Sequence, residues 1–543
     1  WHNFSSINWY AIKPGDSIYI SGGASGQIYT EALYVMKGGI EGNPVTIKVG
    51  NGSSHHGKIT LKNGIIFRAP WITLDGAKDP FFNFSNLENI VSNQNIEVQN
   101  PNDYPCIYSS SPEGTRILWI DINGCGSLSG IATSRGNIAA VLFNGNSGVG
   151  IRGSEIAYNR AYDIFGTGLS VSGPADTYGL SAIHHNIIER TRNDFILGSG
   201  GLDIYNNIAR NWVGPGIGHP DGFQISAPYT RIYNNIIHDT PGMPIYIGLY
   251  TPDAGHIQIF NNIIYPTQVF NHSSIVFTEG NQTFMPMITM SDVLIANNLV
   301  YNVDWSNLVI GEHPVVGTLK IRNMVVRNNI FYRPSNTLAN GGFISLKDYG
   351  YYDFMPEDII FDNNIVAGGR VLSITLKDVT YPTPEDFNNA ITYNGVHPTN
   401  TSALPQMVNP SGFDFRLSLT DNTAKNKGTD LSLYCIAAYG WNQSNCPLTK
   451  DIAGNARQPG AWDIGPYEYV GGGVVQPPIT TPTTPTTPTS PIIGDFNNDG
   501  LVNSIDLSLM ITAWNTSNTT YDLNRDGAVN SLDYVMMVRN WTV

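Results

Sequence analysis

From Val141 to about Leu376 the chain repeats one short pattern of apolar and polar positions: an aliphatic residue, a polar or aromatic residue, Asn, then another apolar residue. It reads IAYNRA at Asn159, IHHNII at Asn186, IYNNIA at Asn207 and IYNNII at Asn235. It continues as IFNNII at Asn262, IANNLV at Asn298, VRNNIF at Asn329 and FDNNIV at Asn364. Successive copies lie roughly 21 to 36 residues apart, the spacing of solenoid coils. Each copy has the period-2 alternation of a strand. A second strand follows it, as in DIFGTG, DFILGSG, DGFQISA, PIYIGLY and SIVFTEG. Two or three short strands per coil, with no helical period, predict an all-β fold: a right-handed parallel β-helix over residues 1–470. A β-propeller would need four strands per repeat of about 40 residues or more.

The fixed place of the second Asn predicts an inward ladder. Coils stack about 4.8 Å apart, so each side-chain amide meets the one above it and both stay paired. An unpaired buried amide would cost roughly 1–3 kcal/mol.

The opening, IKPGDSIYISGG followed by GNPVTIKVG and WITLDG, resembles the first coils of secreted pectate-lyase-like β-helix proteins, and the resemblance implies capping structure around residues 29–38. Residues 80–135, rich in Phe, Asn and Ser, read as early coils carrying loops. Residues 377–470 lose the Asn phrase and are expected to form terminal coils and a cap. Cys106 with Cys125, and Cys435 with Cys446, are the pairs that local spacing suggests, although four cysteines allow three pairings. Disulfides would fit an oxidising compartment. The stretch 471–493, GGGVVQPPITTPTTPTTPTSP with its flanks, is a Pro/Thr linker too poor in apolar residues to fold.

Charge narrows the partners. A formal charge of -14, with 13% of the 543 residues charged, argues against nucleic acid and anionic membranes. No apolar run approaches the roughly 20 residues of a membrane span, so no membrane insertion is expected. The chain begins at Trp1 without a Met, so any secretion signal is expected to have been removed or to lie outside this sequence. A secreted, extracellular or cell-surface protein handling polysaccharide is the expectation.

The C-terminal 494–543 holds two copies of one unit, GDFNNDGLVNSIDLSLMITAW and YDLNRDGAVNSLDYVMMVRNW, offset by 27 residues. Each has calcium-loop spacing, with oxygen ligands at loop positions 1, 3, 5 and 12 and Gly at 6. The first set is Asp495, Asn497, Asp499, the carbonyl of Leu501, Asn503 and Asp506. The second is Asp522, Asn524, Asp526, the carbonyl of Ala528, Asn530 and Asp533. Asp instead of Glu at position 12, no entering helix, the duplication and the linker together resemble a dockerin. That resemblance implies two calcium ions, a cohesin partner and anchoring to a larger assembly. In dockerins the cohesin-facing positions 10 and 11 correspond to Ser504 and Ile505, and to Ser531 and Leu532.

Candidate chemistry sits in the middle coils. Aligning the strand after each Asn phrase places Asp163, Asp194 and Asp221 in one column, about 5 Å apart. Stacked carboxylates repel by around 3 kcal/mol per pair at an effective dielectric of about 20. A groove-bound calcium ion, Arg160 or Arg192, or a shared proton would relieve them. The expected catalytic set is therefore Asp194 and Asp221 as acid/base or nucleophile, His219 orienting them, with Asp163 and Arg192 beside them. His184, His185, Arg210, Arg231, His238, Asp239 and Tyr246 come from neighbouring coils. Carboxylate separation would decide between retaining and inverting hydrolysis, and a lyase would need calcium and a base. No Lys occurs between Lys78 and Lys320, which weighs against a lyase. The alternative is a noncatalytic carbohydrate-binding or structural rod displayed through the dockerin.

Overall fold

The computed structural model describes residues 3–84, 86–127, 138–145, 150–173, 177–214, 220–226, 228–240, 242–267, 272–278, 287–303, 305–310, 318–334, 344–346, 352–355, 358–369, 373–377, 379–436, 439–441 and 446–471. In the C-terminal module it describes 496, 502, 504–514, 516, 518, 520–521, 523, 528–530, 533–534 and 537. Two compact units separate, 1–479 and 480–543.

The first unit is the expected parallel β-helix. Each coil contributes one strand to each of three parallel sheets, in the order A, B, C. Sheet A runs from Ser17–Ile20 to Ile359–Asp362, sheet B from Gln27–Tyr29 to Ile365–Gly368, and sheet C from Leu33–Val35 to Ile374–Leu376, before one antiparallel edge strand, Val379–Tyr381. Alternate side chains of all three sheets point inward and form one continuous apolar core, from Ile18 to Phe387.

The corner between sheets A and B explains the doubled Asn of the repeat. The second Asn points inward. Asn186, Asn207, Asn235, Asn262, Asn298 and Asn329 each send the backbone N–H and the amide Nδ2 to Oδ1 of the next ladder Asn, at 2.9–3.0 Å. Asn159 begins the ladder, and Asn400 ends it by accepting from Asn364. The first Asn turns the corner in the left-handed region, at φ 53 to 58° for Asn206, Asn234, Asn261, Asn297, Asn328 and Asn363. Asn tolerates this conformation better than most residues. In the earlier coils Trp119, Tyr158 and His185 hold the same place.

Both ends differ from expectation. Residues 29–38 are not a cap, because strands Gln27–Tyr29 and Leu33–Val35 belong to the first coil. The cap is the preceding segment, in which Phe4, Ile7 and Ile12 are buried and Phe4 stacks on Tyr29 at 4.8 Å. At the other end the helix Pro384–Ala390, N-capped by Thr383, buries Phe387 against Phe361. Beyond Asn400 the described residues form no further coils. The chain folds back over the outside, where the hairpin Met407–Asn409/Asp414–Leu417 packs on Tyr265 and Tyr301 of sheet B. Leu431, Tyr434, Tyr439 and Trp462 cover Tyr233, Phe260, Leu294 and Val325 of sheet A. Both suggested disulfides are present, Cys106–Cys125 and Cys435–Cys446, each with Cα atoms 5.5 Å apart.

In the second unit the helix Ser504–Thr512 buries Met510 with Val502, Val529 and Met537. Val502/Val529 and Met510/Met537 are equivalent positions of the duplicated unit, so one internal repeat supplies both halves of a small core. Among the described residues, no helix is long and apolar enough to cross a membrane.

Candidate active site

The strand register separates the residues expected to form a carboxylate column. Leu169 pairs with Ile196 and Ile196 with Phe223, so Asp194 and Asp221 share a position with Thr167, two residues earlier in each coil. Asp163 lies elsewhere, at the end of its sheet B strand, in line with Arg190. Its carboxylate pairs with the Arg190 guanidinium, Nε to Oδ1 at 2.7 Å, rather than with Arg160 or Arg192. Asp194 and Asp221 are buried, at 2% and 0% exposure, so the expectation that they line an outer groove is corrected. Asp194 Oδ1 accepts the Asp221 backbone N–H at 2.7 Å, and Asp221 Oδ1 accepts that of Met243 at 2.8 Å. Each carboxylate thus caps the next coil, as the ladder asparagines do at the other corner. These backbone donors, and Arg190 at Asp163, offset negative charge on the three carboxylates. Arg192 points to the Gly214 carbonyl and lies over Phe165. His219 falls outside the described residues.

The other middle-coil residues divide among three faces. Arg210, His238 and Asp239 lie on sheet B or its edge, and Tyr246 lies on sheet C. His238 Nδ1 meets Asp239 Oδ2 at 2.8 Å beside a pocket lined by Thr240, Tyr265 and His272.

Sheet A gathers the remainder. Its outer column runs Arg116, Glu155, Ala182, Asp203, Arg231 and Gln258 through successive coils. His184, Tyr205, Tyr233 and Phe260 form the column beside it, stacked at 4.7 to 4.9 Å. Glu155 accepts Arg116 Nε at 2.5 Å and meets His184 Nε2 at 2.9 Å. His184 Nδ1 faces His185 Nδ1 at 2.8 Å, and the Asn206 amide donates to His185 Nε2 at 3.1 Å. That donor fixes the protons: His185 carries hydrogen on Nδ1 and gives it to His184, whose Nε2–H points to Glu155. Burial alone would raise the Glu155 carboxyl, but hydrogen bonds from His184 and Arg116 outweigh it and hold it down to about 2. Burial, aided by His184, pushes His185 down to about 3, so its ring stays neutral. Asp203 is bonded to Arg231 through both oxygens, at 2.6 and 2.5 Å, yet burial raises its carboxyl. Glu155 and Asp203 therefore occupy one column two coils apart, about 9.5 Å along the axis, with Ala182 at the position between them.

Glu155, Asp203 and Arg116 were not among the expected site residues. A signal for the first two exists: the residue four before each ladder Asn is Glu155, Ala182, Asp203, Arg231 and Gln258 in successive coils, the last two already meeting the closing segment at Gly440 and Trp441. It becomes Leu294, Val325 and Ile360 further along, where the closing segment's apolar residues cover the sheet.

In the C-terminal unit Asp506 and Asp533, position 12 of the two loops, are fully buried. Asp506 Oδ1 accepts the Phe496 N–H at 2.7 Å, and Asp533 Oδ2 accepts that of Asn530 at 2.8 Å. The Ala528 carbonyl accepts the Asn530 amide at 3.0 Å. Asp495, Asn497, Asp499, Leu501, Asn503, Asp522, Asn524 and Asp526 lie outside the described residues, as do Ser531 and Leu532. The sequence from 493 to 540 matches the dockerin type I domain. These residues form a dockerin. No curated protein is significantly similar in sequence to the whole chain. Among solved structures, the chain is similar to the pectate lyase Pel9A, with 13% identity over 85% of this chain and 89% of that one and a TM-score of 0.36. It is also similar to the PL6 family alginate lyase AlyGC, with 12% identity over 74% and 58% and a TM-score of 0.40. A mannuronic acid specific family 6 polysaccharide lyase from human gut microbiota gives 12%, 72% and 87%, and 0.38.

Proposed function

We propose that this chain is an extracellular polysaccharide-active protein, held by its dockerin on a cohesin-bearing scaffold or cell surface. The dockerin carries the reading, since a domain of this kind serves to attach the module joined to it. Two calcium ions belong to its loops, held by Asp495, Asn497, Asp499, the Leu501 carbonyl, Asn503 and Asp506, and by Asp522, Asn524, Asp526, the Ala528 carbonyl, Asn530 and Asp533. The buried carboxylates of Asp506 and Asp533 fit a hard cation, because each would otherwise hold negative charge in a small apolar core.

For the β-helix we assign the reacting groups to sheet A. Glu155, ionised and backed by Arg116 and His184, is placed to accept a proton from water, and Asp203 is the second carboxylate. A separation of about 9.5 Å stands at the wide end of the inverting range of about 6.5–9.5 Å, and Ala182 leaves room for a sugar between them. The Arg231 contact on Asp203 favours a second reading, a noncatalytic binding rod, because the guanidinium occupies both carboxylate oxygens that an acid would have to present to the sugar. The test is a panel of plant, algal and microbial polysaccharides, followed by reducing ends and by unsaturated uronate absorbance. Hydrolysis lost in both Glu155→Gln and Asp203→Asn supports the assignment. Hydrolysis retained in both removes these residues, and binding without cleavage selects the rod.

A further inference from the structure

Sheet C carries a separate feature at the other end of the solenoid. Tyr34 pairs with Ile66 and Ile66 with Tyr108, so the three stand in one outward column over successive coils. Tyr34 is 49% exposed, and Met36, two residues on, is also exposed. Tyr104, 39% exposed, sets its ring edge-on to Tyr108 at 5.7 Å between centroids. The Arg68 guanidinium lies 6.0 Å from the Tyr108 ring centroid. These contacts and the strand register place the four groups in one patch.

The patch is rigid. Cys106, two residues after Tyr104, is tied to Cys125. Asn100 Nδ2 holds the Pro105 carbonyl at 2.9 Å, and its Oδ1 accepts Asn102 N–H at 3.2 Å. Gly64, at φ +74°, lets the loop approach closely, since a Cβ there would lie 2.7 Å from the Cys106 carbonyl oxygen. Rings fixed in this way lose little entropy on binding. Arg68 is exposed, and among the described residues no carboxylate pairs with it, whereas Arg116, Arg160, Arg190, Arg210 and Arg231 all have acidic partners.

We propose that Tyr34, Tyr104 and Tyr108, with Arg68, form a stacking platform for an extended polysaccharide that carries carboxylates, a uronic acid chain. This rests on the polysaccharide reading above and names the class of chain. The coil rise of about 4.8 Å is close to the length of one pyranose in an extended chain, so Tyr34 and Tyr108, two coils apart, meet alternate sugars. The aromatic faces bind the apolar sugar faces, and Arg68 meets a carboxylate as a planar fork. In a chain of formal charge -14, an unpaired Arg on an aromatic surface gives local complementarity to an anion that the rest of the surface repels.

The experiment is titration calorimetry of the full chain, loaded with calcium, against de-esterified polygalacturonate, alginate and methyl-esterified pectin. Thermal unfolding checks that each variant folds. Tyr34→Ala and Tyr108→Ala are each expected to weaken uronate binding about tenfold. Arg68→Ala should lower affinity for the acidic polymers and leave the esterified one unchanged. Wild-type affinity for the acidic polymers in a folded Tyr34→Ala/Tyr108→Ala double variant overturns the platform and leaves the polysaccharide reading standing. Equal loss on acidic and esterified polymer in Arg68→Ala overturns the choice of a uronic acid chain. No binding to these three polymers overturns the platform. The polysaccharide reading falls separately, if the wider panel yields neither cleavage nor binding.

Discussion

Asn328 holds Thr429 by both backbone groups: its Nδ2 donates to the Thr429 carbonyl at 2.8 Å, and its Oδ1 accepts the Thr429 N–H at 2.9 Å. The two residues are 101 apart in sequence. The contact belongs to a series. Asn261 donates to the Lys450 carbonyl, Asn297 to those of Asp463 and Gly465, and Asn363 to that of Lys427. The corner asparagines thus bind the closing segment along the outside of the coils.

Asn328→Ala loses both hydrogen bonds and places a less tolerant residue in the left-handed region. The expected cost is about 2–4 kcal/mol, as faster hydrogen exchange at residues 427–431. Asn328→Gly keeps the backbone conformation and should recover only the conformational part, with both hydrogen bonds still lost. Equal protection in Ala, Gly and wild type would show that the segment is held by its apolar contacts alone.

The inner ladder should be less forgiving. Asn235→Ala leaves the Asn207 N–H without its acceptor and removes one bond each from Asn207 Nδ2 and from the Ile204 and Tyr233 carbonyls. With roughly 1–3 kcal/mol for the buried N–H left unpaired and about 1 kcal/mol for each of the other bonds lost, about 3–6 kcal/mol of destabilisation is expected in urea unfolding of the full chain. A loss below about 1 kcal/mol would mean that water enters the corner and replaces the rung.

Acid should weaken sheet A in two overlapping windows. His185 titrates near 6.5 when unfolded and at about 3 when folded, so its contribution is complete above 6.5 and is lost as pH falls toward 3. Glu155 falls from 4.5 to about 2, so its contribution is complete above 4.5 and is lost on approach to 2. The Glu155 part is on the order of 3 kcal/mol. The His185 ring protons, followed by NMR, should show no titration above pH 4. A midpoint near 6.5 would break the proton assignment along Asn206, His185, His184 and Glu155.

The ladder was legible in the sequence because a buried amide that must meet its own copy admits only Asn at a fixed place. The fold-back segment was not legible. Its contacts join Arg231 to the Gly440 carbonyl and Gln258 to Trp441, pairs about 180 to 210 residues apart with no shared period. The carboxylate column failed for a related reason. Asp163 and Asp194 both follow an Asn phrase, but by 4 and by 8 residues, and the strand register, set by inward apolar side chains, separates them. Phrase spacing alone carries no information about that register. Glu155 and Asp203 were visible at a constant offset from the ladder Asn.

Calcium should control the dockerin and leave the solenoid untouched. Asp506 and Asp533 are fully buried at the start of their helical segments, where each carboxylate also takes a backbone N–H. Without metal the acidic residues of each loop repel one another, and the small core of Val502, Met510, Val529 and Met537 is too slight to hold them together. Chelation should therefore unfold residues 494–543, seen as lost helical circular dichroism and new protease cleavage there. The β-helix transition should stay within about 2 °C, because its stability comes from its own core and ladders. Asp506→Asn and Asp533→Asn should each weaken one calcium site by about tenfold or more, since each removes a charge at loop position 12. The double variant should lose cohesin capture at micromolar calcium while still binding polysaccharide. If capture and helix content survive both substitutions and chelation, the loops are held by protein contacts alone, and calcium has no structural part in attaching this protein to a scaffold.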